Sequence, residues 1–261
     1  GRYICRLDGD DCAHPERLKK QIGFLERHPS IAVLGAGFCT FQDGDPRSLP
    51  KASLKRYRMP CHPILARWRM IFSCSLAHPT VTFRRSAFQS FNIYPEGHAA
   101  EDHWCWLSLP LEIPLANMAD VLCYLRRHPS SVSSRSAVAL ENSSFGAVQA
   151  FLKREVDMEL SLEDVKILWG KGNAESPQQA DRVSKALDAL EGLFLKMVTG
   201  DIMFQGFQED FLRSRQTALE DYVTSSCSKL RGALAVQSLA SGEVDVGAAM
   251  MKHWLKGGDA G

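Results

Sequence analysis

A short β-prone run, Tyr3-Ile4-Cys5-Arg6-Leu7, empties into three carboxylates, Asp8, Asp10 and Asp11, and Pro15 follows in a position suited to a first helical turn. Strand, acidic turn and helix in immediate succession constrain the chain more than any other feature. Ligands of open α/β sheets bind outside the ends of the strands. Carboxylates crowded there repel one another unless a cation lies between them. A hard divalent ion is the simplest such cation, because Mg²⁺ or Mn²⁺ takes oxygen ligands and shares them with substrate phosphates.

Rival acidic motifs fit less well. A calcium loop of the EF-hand type counted from Asp8 wants an oxygen ligand, a glycine and a glutamate where Cys12, Ala13 and Lys19 stand. A dehalogenase-type phosphatase wants Thr or Val where Cys12 stands. A metal-dependent phosphohydrolase is therefore the weakest of the three functional readings taken up below.

The pattern after the turn is that of an α/β layer architecture. Leu18, Ile22 and Leu25 predict the apolar face of a helix ending near His28-Pro29. Ile31 to Leu34, followed by Gly35, predicts a buried strand, and the Asp-, Gly- and Pro-rich residues 42–53 a loop. Further elements are expected over Pro63–Phe72 (helix), Thr80–Phe83 (strand), Ser86–Phe91 (short helix), Glu101–Leu109 (helix) and Val121–Leu125 (strand). After residue 137 no β pattern competes. Ser161 is placed to cap a helix with Glu163 and Asp164 in its first turn, and Ser176-Pro177 opens another. Val183, Leu187, Leu190, Phe194 and Met197 line that second helix, and Gly200 is placed to stop it. Amphipathic segments continue over about 202–223, 229–239 and 244–255. The division expected is residues 1–136 as an α/β domain and 137–261 as a helical region.

The 261 residues carry a net charge of +1, which argues against a nucleic-acid binder working by broad phosphate neutralisation. Lys55, Arg56, Arg58, Arg67 and Arg69 lie close together and read as a solvated loop and helix face. The eight cysteines are scattered with no CxxC pair and sit mostly in apolar runs, so a reducing, cytoplasmic setting is expected. No apolar run approaches the ~20 residues of a membrane-spanning helix.

Two more constellations carry chemistry. Glu101-Asp102 follows Tyr94-Pro95-Glu96-Gly97 and opens a helix containing Trp104 and Trp106. A carboxylate there is stabilised by the helix dipole and suits either capping or general-base work. Tyr124-Leu125-Arg126-Arg127-His128-Pro129 delivers cations and an imidazole from the end of a strand, where they could face phosphates or a metal.

In this order the segments resemble the family 2 nucleotide-sugar glycosyltransferases of the GT-A fold, a Rossmann-like α/β core. Residues 3–35 are similar to that family's strand, DxD turn, "PERL…Q" helix and next strand. His78-Pro79-Thr80-Val81-Thr82-Phe83-Arg84-Arg85-Ser86 resembles its "HPT…FR+S" segment, residues 94–107 its glycine loop and "ED…WL" helix, and Leu125 to Ser133 its "YRxH…S" pattern. No QxxRW occurs, which argues against a processive polysaccharide synthase. The resemblance implies a sugar transferred from a nucleotide donor, with UDP-sugars foremost, to a hydroxyl acceptor with inversion. It implies Asp10 and His128 as ligands of Mn²⁺ or Mg²⁺, and Asp8, Gly97 and Arg126 on the donor. Asp102 is implied as general base, with Glu101 orienting acceptor or sugar. It also implies earlier strands ahead of Gly1, so the core is expected to be incomplete at its N-terminus. The alternative is a degenerate, non-catalytic transferase domain acting as a scaffold for the helical half.

Overall fold

The computed structural model describes residues 1–89, 94, 96–128 and 136–199. It divides into two compact units, one formed by Gly1–Ser143 and the other starting at Ser144.

The first unit is a mixed α/β layer. Its six strands are β1 (Tyr3–Cys5), β2 (Cys12–Ala13), β3 (Val33–Phe41), β4 (Lys55–Tyr57), β5 (Thr82–Arg84) and β6 (Leu115–Arg126), ordered β1-β5-β3-β6-β2 with β4 added to β3. β3 and β6 run parallel; the remaining pairs are antiparallel. β3 runs well beyond the predicted Ile31–Leu34, because Gly35 and Gly37 continue the ladder rather than ending it. A Cβ on Gly35 would lie 2.1 Å from Asn117 Oδ1, so this glycine admits the Asn117 side chain. The Asn117 amide in turn donates to Pro60 O at 2.9 Å and Ser75 O at 3.1 Å.

Helix α1 (Arg17–Arg27) forms where its sequence predicts, but its inner face differs from the expected one. Arg17, Gln21 and Leu25 are buried, while Leu18 is 53% exposed. Polar pairing explains the exchange. Arg17 Nε donates to Gln21 Oε1 at 2.9 Å and its Nη2 to Arg6 O at 2.6 Å; the Gln21 amide reaches Leu34 O and Thr80 O at 3.2 and 2.9 Å. Buried polar groups are tolerated when so satisfied. They bind β1, β3 and the turn at residues 78–80 to one helix. Below them Leu25, Ile31, Leu34 and Ala116 form an apolar cluster, each large side chain contributing about 1.5–3 kcal/mol.

Helix α2 (Pro63–Met70) starts with His62 as N-cap, its Nδ1 accepting from Ile64 N at 3.2 Å. Arg67 corrects the expectation of a solvated basic face. It is 1% exposed, and its guanidinium donates to Trp106 O, Leu109 O, Pro110 O and Ile113 O at 2.8–3.3 Å. Trp106 O belongs to the last turn of α3 (Glu101–Ser108), where C=O groups have no helical partner of their own, and the other three carbonyls lie just beyond the helix. Arg69, two residues further along the helix, is exposed as expected.

The second unit is helical throughout its described residues. It contains most of α4 (Ala137–Val156), then α5 (Leu162–Leu168) and α6 (Pro177–Thr199). Ser161 caps α5 in a reciprocal box with Asp164, and Arg182 of α6 grips the same carboxylate at 3.2 and 3.3 Å. Val183, Leu187, Leu190, Phe194 and Met197 are buried at the predicted spacing. Gly200 and the segments expected over 202–255 lie outside the described residues. Among the described residues no helix is long and apolar enough to cross a membrane, and the seven described cysteines are free thiols.

Candidate active site

The acidic turn is held from both sides. β1 leads into it, Asp11 N closes it on Asp8 O at 3.2 Å, and β2 leaves it to pair with β6 at Cys12↔Tyr124. That pairing brings the end of β6 alongside the turn. Asp11 then acts as an anchor: its Oδ1 accepts from Arg126 N at 2.8 Å. Burial raises the Asp11 carboxyl to about 6, with the charges of Asp10 and Asp8 pushing the same way. Asp10 is exposed and meets His128 Nε2 at 3.0 Å through Oδ2, a contact that holds its carboxyl below the ordinary value. Asp8 pairs with Arg6 at 3.3 Å.

Arg126, expected beside the donor phosphates, is engaged with the turn itself. Its Nε donates to Asp10 O at 3.3 Å, its Nη1 to Gln42 O at 2.9 Å, and the guanidinium lies 4.6 Å over the Phe41 ring. It fastens the turn to the ends of β3 and β6.

Glu101 and Asp102 occupy the first turn of α3, preceded by Gly97 at φ +84°. Space beside Gly97 is open, so the backbone conformation, not crowding, requires glycine there. The loop is tied down by Ser143 Oγ, which accepts from Ala100 N at 3.1 Å and Trp104 Nε1 at 3.2 Å. Asp102 is half-buried; Oδ1 accepts from His103 N at 2.8 Å and Oδ2 lies 3.8 Å from the Cys74 thiol. Desolvation raises this carboxyl above its usual value, in the direction a general base needs.

A link that sequence reasoning missed joins the two carboxylate sets. Arg6 Nε donates to His78 Nε2 at 3.1 Å, Tyr94 OH lies 3.0 Å from the same nitrogen, and His78 Nδ1 stands 3.8 Å from Glu101 Oε1. Burial and the Arg6 charge push His78 down to about 4, so the ring is neutral at ordinary pH. With Nε2 accepting, its proton sits on Nδ1, facing Glu101. The chain Asp8–Arg6–His78–Glu101 therefore spans from the acidic turn to α3. His78 stood in the "HPT" segment without a role; its only signal was a histidine ahead of a short strand.

Of the predicted site residues, Asp10 and His128 are joined directly, Asp8 and Glu101 through Arg6 and His78, and Asp102 stands next to Glu101. Among the described residues no group of three or more His, Cys, Asp or Glu side chains is gathered as a metal cage. The Asp10–His128 pair supplies one carboxylate and one imidazole, donors compatible with Mn²⁺ or Mg²⁺ when diphosphate oxygens or water complete the shell.

The mixed α/β sheet, with acidic groups at a strand end and an acidic pair opening a helix, fits the GT-A class of sugar transferase fold. Residues 1–91 match the model for glycosyl transferase family 2, and this part of the first unit is similar to a family 2 glycosyltransferase domain of that fold. The chain is 28% identical over 175 residues to the bifunctional glycosyltransferase pgtA of Dictyostelium discoideum, covering 56% of this chain and 23% of that protein. It is 33% identical over 135 residues to the amylovoran biosynthesis glycosyltransferase AmsE of Erwinia amylovora, covering 51% and 47%. It is 26% identical over 154 residues to the O-antigen biosynthesis glycosyltransferase WbnJ of Escherichia coli, covering 58% and 57%. The matches thus span from about a quarter to somewhat over half of these relatives.

Proposed function

We propose that the protein containing this chain transfers a sugar from a nucleotide-sugar donor, with UDP-sugars foremost, to a hydroxyl acceptor, with a divalent cation and with inversion. The observation that carries this reading is the meeting of Asp10 and His128 at 3.0 Å across 118 residues of sequence. Asp10 and His128 would hold Mn²⁺ or Mg²⁺, which when bound offsets charge gathering on a departing diphosphate.

The remaining roles belong to this chain's own groups. Asp102, raised by burial, takes the acceptor hydroxyl's proton as the oxygen attacks the anomeric carbon. Glu101, steadied by His78, orients acceptor or sugar. Gly97 lets the loop ahead of α3 approach the donor, and Arg126 keeps the acidic turn in place. A single displacement of this kind inverts the anomeric centre.

Donor turnover by the full-length protein tests the reading. Asp10→Ala and Asp102→Asn should each lower transfer by 10²-fold or more. Unchanged turnover in both would end the assignment. Phosphate release without sugar transfer would instead indicate a phosphohydrolase.

A further inference from the structure

Two donors converge on one acceptor between the acidic turn and α3. Arg6 Nε lies 3.1 Å and the Tyr94 hydroxyl 3.0 Å from the same atom, His78 Nε2. A neutral imidazole offers a single lone pair there, so Nε2 serves only one of them well. The Arg6 N–H is the fixed donor. Arg6 N donates to Val81 O at 2.9 Å, Arg6 O accepts from Arg17 Nη2 at 2.6 Å, and its own Nη2 is drawn to Asp8 at 3.3 Å. Its planar, charged guanidinium is also the stronger donor of the two. The imidazole is held as well. His78 is 8% exposed, meets the Trp106 ring edge to face with centroids 6.0 Å apart, and turns Nδ1 to Glu101 at 3.8 Å.

The Tyr94 O–H, by contrast, is a rotor, and among the described residues it has no other hydrogen-bond partner. With the lone pair of Nε2 taken by Arg6, its hydrogen is left to turn towards a ligand. Burial, with the charges of Asp102 and Glu101 acting in the same direction, pushes the hydroxyl up to about 12, so it stays a donor. Tyr94 is 37% exposed, and so open to a ligand. It stands three residues before Gly97 and shares His78 with Arg6, the partner of Asp8, on one side and Glu101 on the other.

We infer that Tyr94 is a specificity-determining residue whose hydroxyl donates to an oxygen of the donor's sugar, and that Arg6 is a positioning residue that keeps this hydroxyl off His78. This rests on the transferase reading, which puts the diphosphate at Asp10 and the acceptor oxygen at Asp102. The sugar joins the two and spans the gap that Tyr94 borders. Calorimetry on the full-length protein with Mn²⁺ tests it, using UDP, UDP-glucose, UDP-N-acetylglucosamine, GDP and GDP-mannose. The quantity read is the affinity for a nucleotide sugar divided by that for its bare diphosphate, so effects on the diphosphate cancel. Tyr94→Phe removes only the oxygen, and should lower this ratio about tenfold while bare diphosphate affinity stays within about twofold. Arg6→Met frees the His78 lone pair for Tyr94 and should lower the ratio similarly. Adding Tyr94→Phe to Arg6→Met should then lower it no further, whereas independent, additive falls would overturn the role given to Arg6. A ratio unchanged in Tyr94→Phe, a loss shared equally by the bare diphosphate, or a parent that binds a diphosphate but none of the conjugates would overturn the role given to Tyr94. In each of those cases metal-dependent diphosphate binding keeps the transferase reading. Absence of metal-dependent binding by every probe would remove both.

Discussion

Asp10 Oδ2 and His128 Nε2 lie 3.0 Å apart although 118 residues separate them. The meeting depends on the short pairing of β2 with β6 and on Asp11, whose carboxylate receives Arg126 N at 2.8 Å. Asp10 is thus presented by its neighbour: one aspartate is used to fix the turn so that the next can face outward.

Removing the anchor should separate structure from ligand chemistry. Asp11→Ala leaves Arg126 N without its acceptor and should lower stability by about 1–3 kcal/mol. Asp10→Ala, at an exposed carboxylate, should change stability by less than about 0.5 kcal/mol. Denaturant titration of both variants checks this; equal losses would contradict the anchor role.

His78 and His103 give the first unit an acid sensitivity. Both are buried and both are pushed down to about 4 by desolvation. A histidine whose folded value lies below its unfolded value contributes stability at neutral pH that disappears as pH falls from about 6.5 to about 4. Each group accounts for roughly 3 kcal/mol over that window. His78→Gln should therefore unfold less steeply than the parent between pH 7 and pH 4.5. A variant that loses as much stability as the parent would show that His78 does not titrate in this way.

Arg67 and Arg69 are close in sequence and opposite in environment. Arg67→Ala leaves four carbonyls around the end of α3 unserved and should cost about 3–5 kcal/mol, while Arg69→Ala should stay within about 0.5 kcal/mol. Thermal denaturation of the two variants distinguishes them directly.

Gly97→Ala meets no steric neighbour yet places a side chain at φ +84°. The expected cost is about 1–2 kcal/mol from the left-handed backbone alone. A larger part of the effect should appear in substrate affinity, because this loop leads straight into Glu101-Asp102. Melting temperature and donor affinity, measured on the same variant, test the two parts.

Much of this was legible in the amino-acid sequence, for identifiable reasons. The acidic turn, the helix opening at Glu101, the Ser161 cap and the five-residue stripe of α6 all rest on local chemistry or on period. What periodicity could not reveal was which polar groups the fold buries. Leu18 was favoured for the core of α1 on hydrophobicity, yet Arg17 and Gln21 took the inner face because carbonyls from three other segments wait there. Arg67 escaped notice for the same reason: its four acceptors lie 39 to 46 residues further along the chain. Gly35 was read as a strand end when its role is to admit Asn117. The Arg6–His78 contact, between residues 72 apart, left no local trace either.

The most direct test of the account is calorimetric titration of a nucleoside diphosphate, with and without Mn²⁺, into the full-length protein and its Asp10→Ala and His128→Ala variants. The account predicts binding that requires the metal and falls tenfold or more in each variant. Metal-independent binding, or affinity untouched by both substitutions, would contradict it.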